Sequence, residues 1–229
     1  MTNFSIQIIS DTICPWCYIG FKRLSTAIIT HKKSHPDDTF TLHWKAFYLN
    51  PNSPTFPGVN KKEMYAAKFG AQRTEAIIAR LSSVGENEGI KFSFGGNSGR
   101  TRDSHRVIWY AGNASNAVTK AGGDSEEGFG IQSAVVQNLF RAYFEEEKNI
   151  TDPVVLKDAA TAAGLDGGEI DALLESDRGG EEVDVEAGDA ARKLVSGVPF
   201  FEIQGKYVIE GADEPEAFLE VFEKVKNGE

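Results

Sequence analysis

Two cysteines separated by two residues, Cys14-Pro15-Trp16-Cys17, stand directly after an isoleucine-rich run, Phe4-Ser5-Ile6-Gln7-Ile8-Ile9-Ser10, and the short connection Asp11-Thr12-Ile13. The run predicts a mostly buried strand. Tyr18, Phe21, Leu24 and Ile28 then recur at helical spacing up to about residue 31, which predicts a helix that begins at the cysteines. Pro15 suits its first turn, where a missing N–H costs nothing. A thiolate at a helix N-terminus faces unpaired backbone N–H groups and the positive end of the dipole, which lowers its pKa. A second sulfur one turn on can attack the mixed disulfide and release the partner. That chemistry asks for Cys14 to be open to solvent and Cys17 to be shielded. The chain of 229 residues has no other cysteine, so the pair serves chemistry or metal binding and cannot be a disulfide framework.

Beyond residue 35 the pattern changes several times. A second strand is expected over 40–47, with Phe40, Leu42, Trp44 and Ala46 on one face. A proline-rich connection covers 50–60, and helical periodicity then holds for more than a hundred residues. Helices are expected over 61–69, 72–86, 102–121, 128–148, 153–163, 168–176 and 181–195. Asn60 and Asp152 read as N-caps, and Gly70 and Gly164 as C-terminal stops. The glycine-rich stretch 95–99 reads as flexible, and Glu145-Glu146-Glu147 as a solvated helix face. Near the end, Phe200–Ile203 and Lys206-Tyr207-Val208-Ile209 flank Gln204-Gly205 and predict a hairpin, followed by a helix over 215–226.

A second chemical signature precedes that hairpin, Ser196-Gly197-Val198-Pro199-Phe200-Phe201. A trans proline opening an edge strand is the plain reading. A cis Val198–Pro199 bond beside Cys14 is the functional one, leaving the Val198 backbone groups free to pair with an extended substrate. A rival pattern also exists. Cys14 and Cys17 with His31 and His35 fit the spacing of a two-Cys, two-His zinc finger. A continuous strand before Cys14 and the long remainder of the chain weigh against it, so no metal site is expected and the two histidines read as solvated. With 24 basic and 34 acidic side chains, a net charge of -10 disfavours nucleic acid and anionic lipid as partners. No apolar run is long enough to span a membrane. The start of the chain lacks a basic segment followed by a long apolar one, so a cytoplasmic location is expected.

Ser10-Asp11 leading into Cys14-Pro15-Trp16-Cys17-Tyr18-Ile19-Gly20, with Gly197-Val198-Pro199-Phe200-Phe201 near the other end, resembles the DsbA family, and within it the FrnE-like branch of cytosolic thiol oxidoreductases. The resemblance implies an α/β chain with a thioredoxin fold and a large all-helical insertion. Residues 1–55 and 195–229 would form the discontinuous thioredoxin-like domain and 56–194 the insertion. Thr101–Arg106 with Val107-Ile108-Trp109-Tyr110 resembles a family segment that faces the active site from the insertion. By the same likeness Cys14 and Cys17 are catalytic, and Pro15, Trp16, Val198 and Pro199 contact substrate. Two departures stand out. The strand position where relatives carry a buried acid is Ile8, leaving Asp11 as a candidate substitute. The dipeptide between the cysteines has no histidine, and His105 is a second candidate modulator, with an exposed or capping role as its alternative. The implied substrates are protein or small-molecule thiols and disulfides, with glutathione as an optional co-substrate and no other cofactor. A homodimer is left open. Glutathione-dependent isomerases and kappa-class transferases share the architecture but usually carry serine at the Cys14 position. With no fixed cation visible near Cys14, a reduction potential on the order of −200 to −270 mV is expected.

Overall fold

The computed structural model describes residues 1–118, 129–192, 195 and 197–229. β1 (Asn3–Ser10), α1 (Pro15–Ser34) and β2 (Thr39–Ala46) open the chain. β3 (Val59–Asn60), α2 (Lys61–Phe69), α3 (Ala71–Asn87), β4 (Asn97–Ser98) and α4 (Arg102–Val118) follow. Then come α5 (Gly130–Phe144), α6 (Pro153–Ala162), α7 (Gly167–Leu174) and α8 (Gly180–Arg192). β5 (Phe200–Ile203), β6 (Tyr207–Glu210) and α9 (Pro215–Asn227) close it. Ser196, the expected helix ends at 119–121 and 128, and residues 193–194 lie outside the described residues.

One sheet, in the order β2-β1-β5-β6, carries the molecule. β1 runs parallel to β2, pairing Asn3 with Thr39 through Ser10 with Ala46, and antiparallel to β5. Its central place explains the isoleucine run. Phe4, Ile6 and Ile8 join the main core, and Ile9, on the opposite face, is covered by Ala190 and Val195. At the β5–β6 turn, Gln204 (φ 56°) and Gly205 (φ 63°) are both left-handed, the geometry that matches hairpin twist.

The elements from β3 to α8 are inserted between β2 and β5 in chain order. Among the described residues their only strands are the two-residue antiparallel ladder of β3 and β4. The insertion also closes the open edge of β2. The Trp44 N–H donates to Gln132 Oε1 at 3.1 Å and the Ala46 N–H to Glu186 Oε2 at 3.1 Å, so α5 and α8 satisfy groups that would otherwise invite another strand.

Two expectations need correction here. α5 stops at Phe144, and the three glutamates lie beyond it with Glu147 at φ 57°. They are partners, not a bare solvated face. Glu147 accepts from the Ser93 hydroxyl and from the Gly95 N–H, and Glu145 accepts from Tyr18 Oη at 2.7 Å. The glycine-rich stretch is correspondingly tied down. Gly96 (φ 75°) accepts from the Lys61 N–H at 3.0 Å, and a Cβ there would clash with the Glu147 carbonyl oxygen.

Candidate active site

Cys14 is the N-cap of α1, with extended backbone (φ −90°, ψ 112°) and Pro15 at the first helical position. Its carbonyl accepts from the Cys17 N–H at 3.1 Å, which places the second sulfur one turn inside the helix. The Cys14 thiol donates to the Val198 carbonyl at 3.4 Å. The Val198–Pro199 peptide bond is cis. Gly20 makes this approach of α1 to the β5 end possible. A Cβ at Gly20 would lie 2.9 Å from Pro199 Cγ and 3.1 Å from Phe201 Cζ.

The expected contrast in exposure is absent. Cys14 is only 4% exposed and Cys17 1%. Val198 and Trp16 pack against the core that holds both sulfurs. On α2, burial and then the charge of Cys14 push the Tyr65 phenol up to about 12. Burial first, then the adjacent Cys14, holds the Cys17 thiol well above its ordinary range.

Behind the thiols, the 11–13 loop is clamped by the N-terminal turn of α4. Asp11 is fully buried and accepts from the Leu49 N–H at 2.7 Å. His105, the second candidate modulator, is buried against this loop, and the alternative of an exposed side chain does not hold. Its Nε2 lies 3.1 Å from the Phe47 carbonyl and 3.5 Å from Asp11 Oδ1. Both neighbours are acceptors, so Nε2 carries the proton. Ser104 donates to the Thr101 carbonyl at 2.7 Å, which leaves the Thr12 hydroxyl to donate to Ser104 Oγ at 2.8 Å. The structure thus brings Asp11, His105, Cys14, Cys17, Val198 and Pro199 into one region.

Sequence reasoning missed Thr12, Tyr65 and Arg80. The Arg80 guanidinium stands 5.3 Å over the Trp16 ring, a cation beside the Cys-x-x-Cys turn. No local pattern could reveal it, because α3 and α1 meet only in the fold.

The zinc-finger geometry is excluded. α1 is continuous, so Cys14 and His31 stand about 25 Å apart along it. The reading of His31 as solvated is also overturned. It is 4% exposed, packed edge-on to Phe4, Phe40 and Phe222, with Nε2 2.9 Å from Asp38 Oδ2. His35 is half-buried against it.

A Cys-x-x-Cys at the N-terminus of the helix after a central strand, a proline-led strand beside it and a helical insertion define a thioredoxin-fold protein of the inserted kind. The model of the DsbA-like thioredoxin domain matches residues 5–223, and the chain belongs to that family. Among solved structures, a probable DsbA oxidoreductase from Streptomyces coelicolor is similar at TM-score 0.81 and 25% identity, covering 99% of this chain and 91% of that one. A 2-hydroxychromene-2-carboxylate isomerase matches in fold at TM-score 0.62 and 14% identity, covering 98% of this chain and 97% of its own. The cytosolic disulfide reductase DsbM from Pseudomonas aeruginosa does so at 0.56 and 16%, covering 96% and 99%. No curated protein matches the chain.

Proposed function

We propose that this chain is a thiol–disulfide oxidoreductase of the FrnE-like branch, with Cys14 as attacking and Cys17 as resolving sulfur. The observation that carries this reading is the placement of the two sulfurs. Cys14 sits at the helix N-terminus, while burial keeps Cys17 protonated until it is needed. In the oxidising direction for the enzyme, the Cys14 thiolate attacks one sulfur of a substrate disulfide. A Cys14–substrate S–S bond forms, the substrate S–S bond breaks, and the departing thiolate takes up a proton. Cys17 then loses its proton and attacks Cys14 Sγ. The Cys14–Cys17 bond forms, the second substrate thiol leaves, and two electrons have passed to the substrate. The reverse sequence oxidises a dithiol.

Pro15, Trp16, Val198 and Pro199 contact the substrate in this reading. The Val198 carbonyl, which accepts from the Cys14 thiol, loses that donor when Cys14 ionises and becomes available to a substrate N–H. Asp11 and His105 act as positioning residues that fix the 11–13 loop behind the sulfurs. Substrates are protein or small-molecule thiols and disulfides, with glutathione as an optional co-substrate and no further cofactor in the exchange. A cytoplasmic site of action, a division into residues 1–55 with 195–229 and 56–194, and self-association as a homodimer belong to the same reading. The net charge of -10 supports the absence of nucleic-acid and membrane partners, and no helix among the described residues is long and apolar enough to cross a membrane.

A glutathione-dependent isomerase on the same fold would use one reactive position, and the second cysteine has no task in it. The test is to incubate Cys17→Ser with oxidised glutathione and weigh the intact protein. A stable adduct of one glutathione on Cys14, together with a wild type that passes on to its internal disulfide, is expected. A wild type that stops at the adduct would overturn the oxidoreductase reading.

A further inference from the structure

We propose that the last turn of α1 and the facing surface of α9 form a binding site for a divalent transition-metal ion, Zn2+ by donor chemistry, with ring nitrogens of His31 and His35 and the Glu223 carboxylate as ligands. His35 is the C-cap just beyond α1, and its N–H donates to the His31 carbonyl at 3.0 Å, which keeps the two side chains adjacent. Glu223 arrives from α9. One ligand atom from each of the three lies within 4.8 Å of the others. Donors bonded to Zn2+ at about 2.1 Å in tetrahedral geometry are about 3.4 Å apart, so the set must close by about 1.4 Å. His35 is half-buried and Glu223 exposed, so both have room to move, while His31 is held in the core.

Two further observations point to a ligand. His35 Nδ1 is the one buried side-chain nitrogen or oxygen without a hydrogen-bond partner among the described residues. Buried polar atoms are otherwise paired in native proteins, and a metal bond is one way to satisfy this nitrogen. His31 is arranged as a metal-binding histidine usually is. Its Nε2 donates to the ionised Asp38 carboxylate at 2.9 Å, which fixes the tautomer and leaves the Nδ1 lone pair available. The two imidazoles stack with centroids 4.5 Å apart and planes at 21°, so their in-plane lone pairs do not converge as they stand, and the His35 ring must turn off the stack to share an ion with His31. Lys226 already pairs with Asp38 at 2.6 Å, so the Glu223 charge is available to a cation. The site lies at the opposite end of α1 from Cys14 and Cys17. It departs from the sequence expectation of no metal, and it would clasp the C-terminal helix onto the sheet domain's crossover helix.

The thiols bind Zn2+ themselves, so the test uses the full chain with Cys14→Ser and Cys17→Ser, titrated with Zn2+ by calorimetry. One equivalent is expected to bind. His35→Ala and Glu223→Ala, each added to this background and checked by circular dichroism, are expected to weaken binding at least tenfold. Co2+ should give the visible absorption of a four-coordinate site in the parent and lose it in both variants. Zn2+ should raise the thermal midpoint of the parent and leave that of His35→Ala unchanged. No binding by the parent, or binding that neither variant weakens, would overturn the proposal. Because the cysteines are absent throughout, neither result bears on the redox reading.

Discussion

At the scale of single residues, local chemistry and long-range burial separate cleanly. Cys14, Cys17 and Pro199 could be read from the sequence because strand, proline and helix signals lie within a few positions of them. The burial of Cys14, His31 and His105 could not, since the groups beside them come from distant parts of the chain, Val198 for Cys14, Phe222 of α9 for His31 and Phe47 for His105. The raised Cys17 thiol has a direct consequence. With little Cys17 thiolate at neutral pH, brief treatment of the reduced protein with iodoacetamide should modify Cys14 first, and Cys17 labelling should grow only as pH rises. Peptide mass spectrometry checks this, and equal labelling at pH 7 would contradict the assigned roles. Asp38 carries a second consequence. Lys226 first, against opposing burial, and then His31 and the Thr2 N–H, hold its carboxyl well below the usual carboxylate range. A depressed folded pKa contributes stability above the unfolded value of about 3.9, and that contribution is lost as pH falls through the folded value. Asp38→Asn should therefore lower the thermal midpoint at pH 7 and narrow its gap to the wild type as pH drops below about 4. A gap that stays constant with pH would contradict the pairing.

Among the elements, α1 fits tightly against the start of β5. Gly20→Ala puts a methyl 2.9 Å from Pro199 Cγ and 3.1 Å from Phe201 Cζ, both buried. Overpacking of this kind costs about 1–3 kcal/mol, so the variant should unfold at lower urea and exchange disulfides more slowly. Unchanged stability would mean that the contact is looser than described. Lys61, at the β3–α2 junction, is 1% exposed, and its ammonium donates to the Tyr143 carbonyl at 2.6 Å over the Tyr143 ring. Burial lowers its pKa to about 8. The unfolded value is about 10.4, so the unfolded state holds more protons between these limits and stability rises with pH there, by up to about 3 kcal/mol. Urea unfolding at pH 7.5 and pH 10 should show this rise relative to Lys61→Met, and parallel behaviour of the two proteins would contradict it. Periodicity located most of these helices well. It overran α5, because the three glutamates look helical in sequence, whereas in the fold they turn away to bind Tyr18, Ser93 and Gly95.

Over the whole molecule, the DsbA-like fold was legible because its two signatures sit at opposite ends of the chain and meet across β1 and β5. How the insertion meets the thiols was not, since contacts such as Arg80 over Trp16 depend on the packing of separate helices. The proposed chemistry makes the Cys14–Cys17 pair a reversible two-electron couple. Equilibrating the purified chain with defined ratios of reduced and oxidised glutathione, trapping with a thiol alkylator and weighing the products reads this directly. A single internal disulfide forming with a potential on the order of −200 to −270 mV is expected; accumulation of a glutathione adduct without internal disulfide at any ratio would contradict the proposed function.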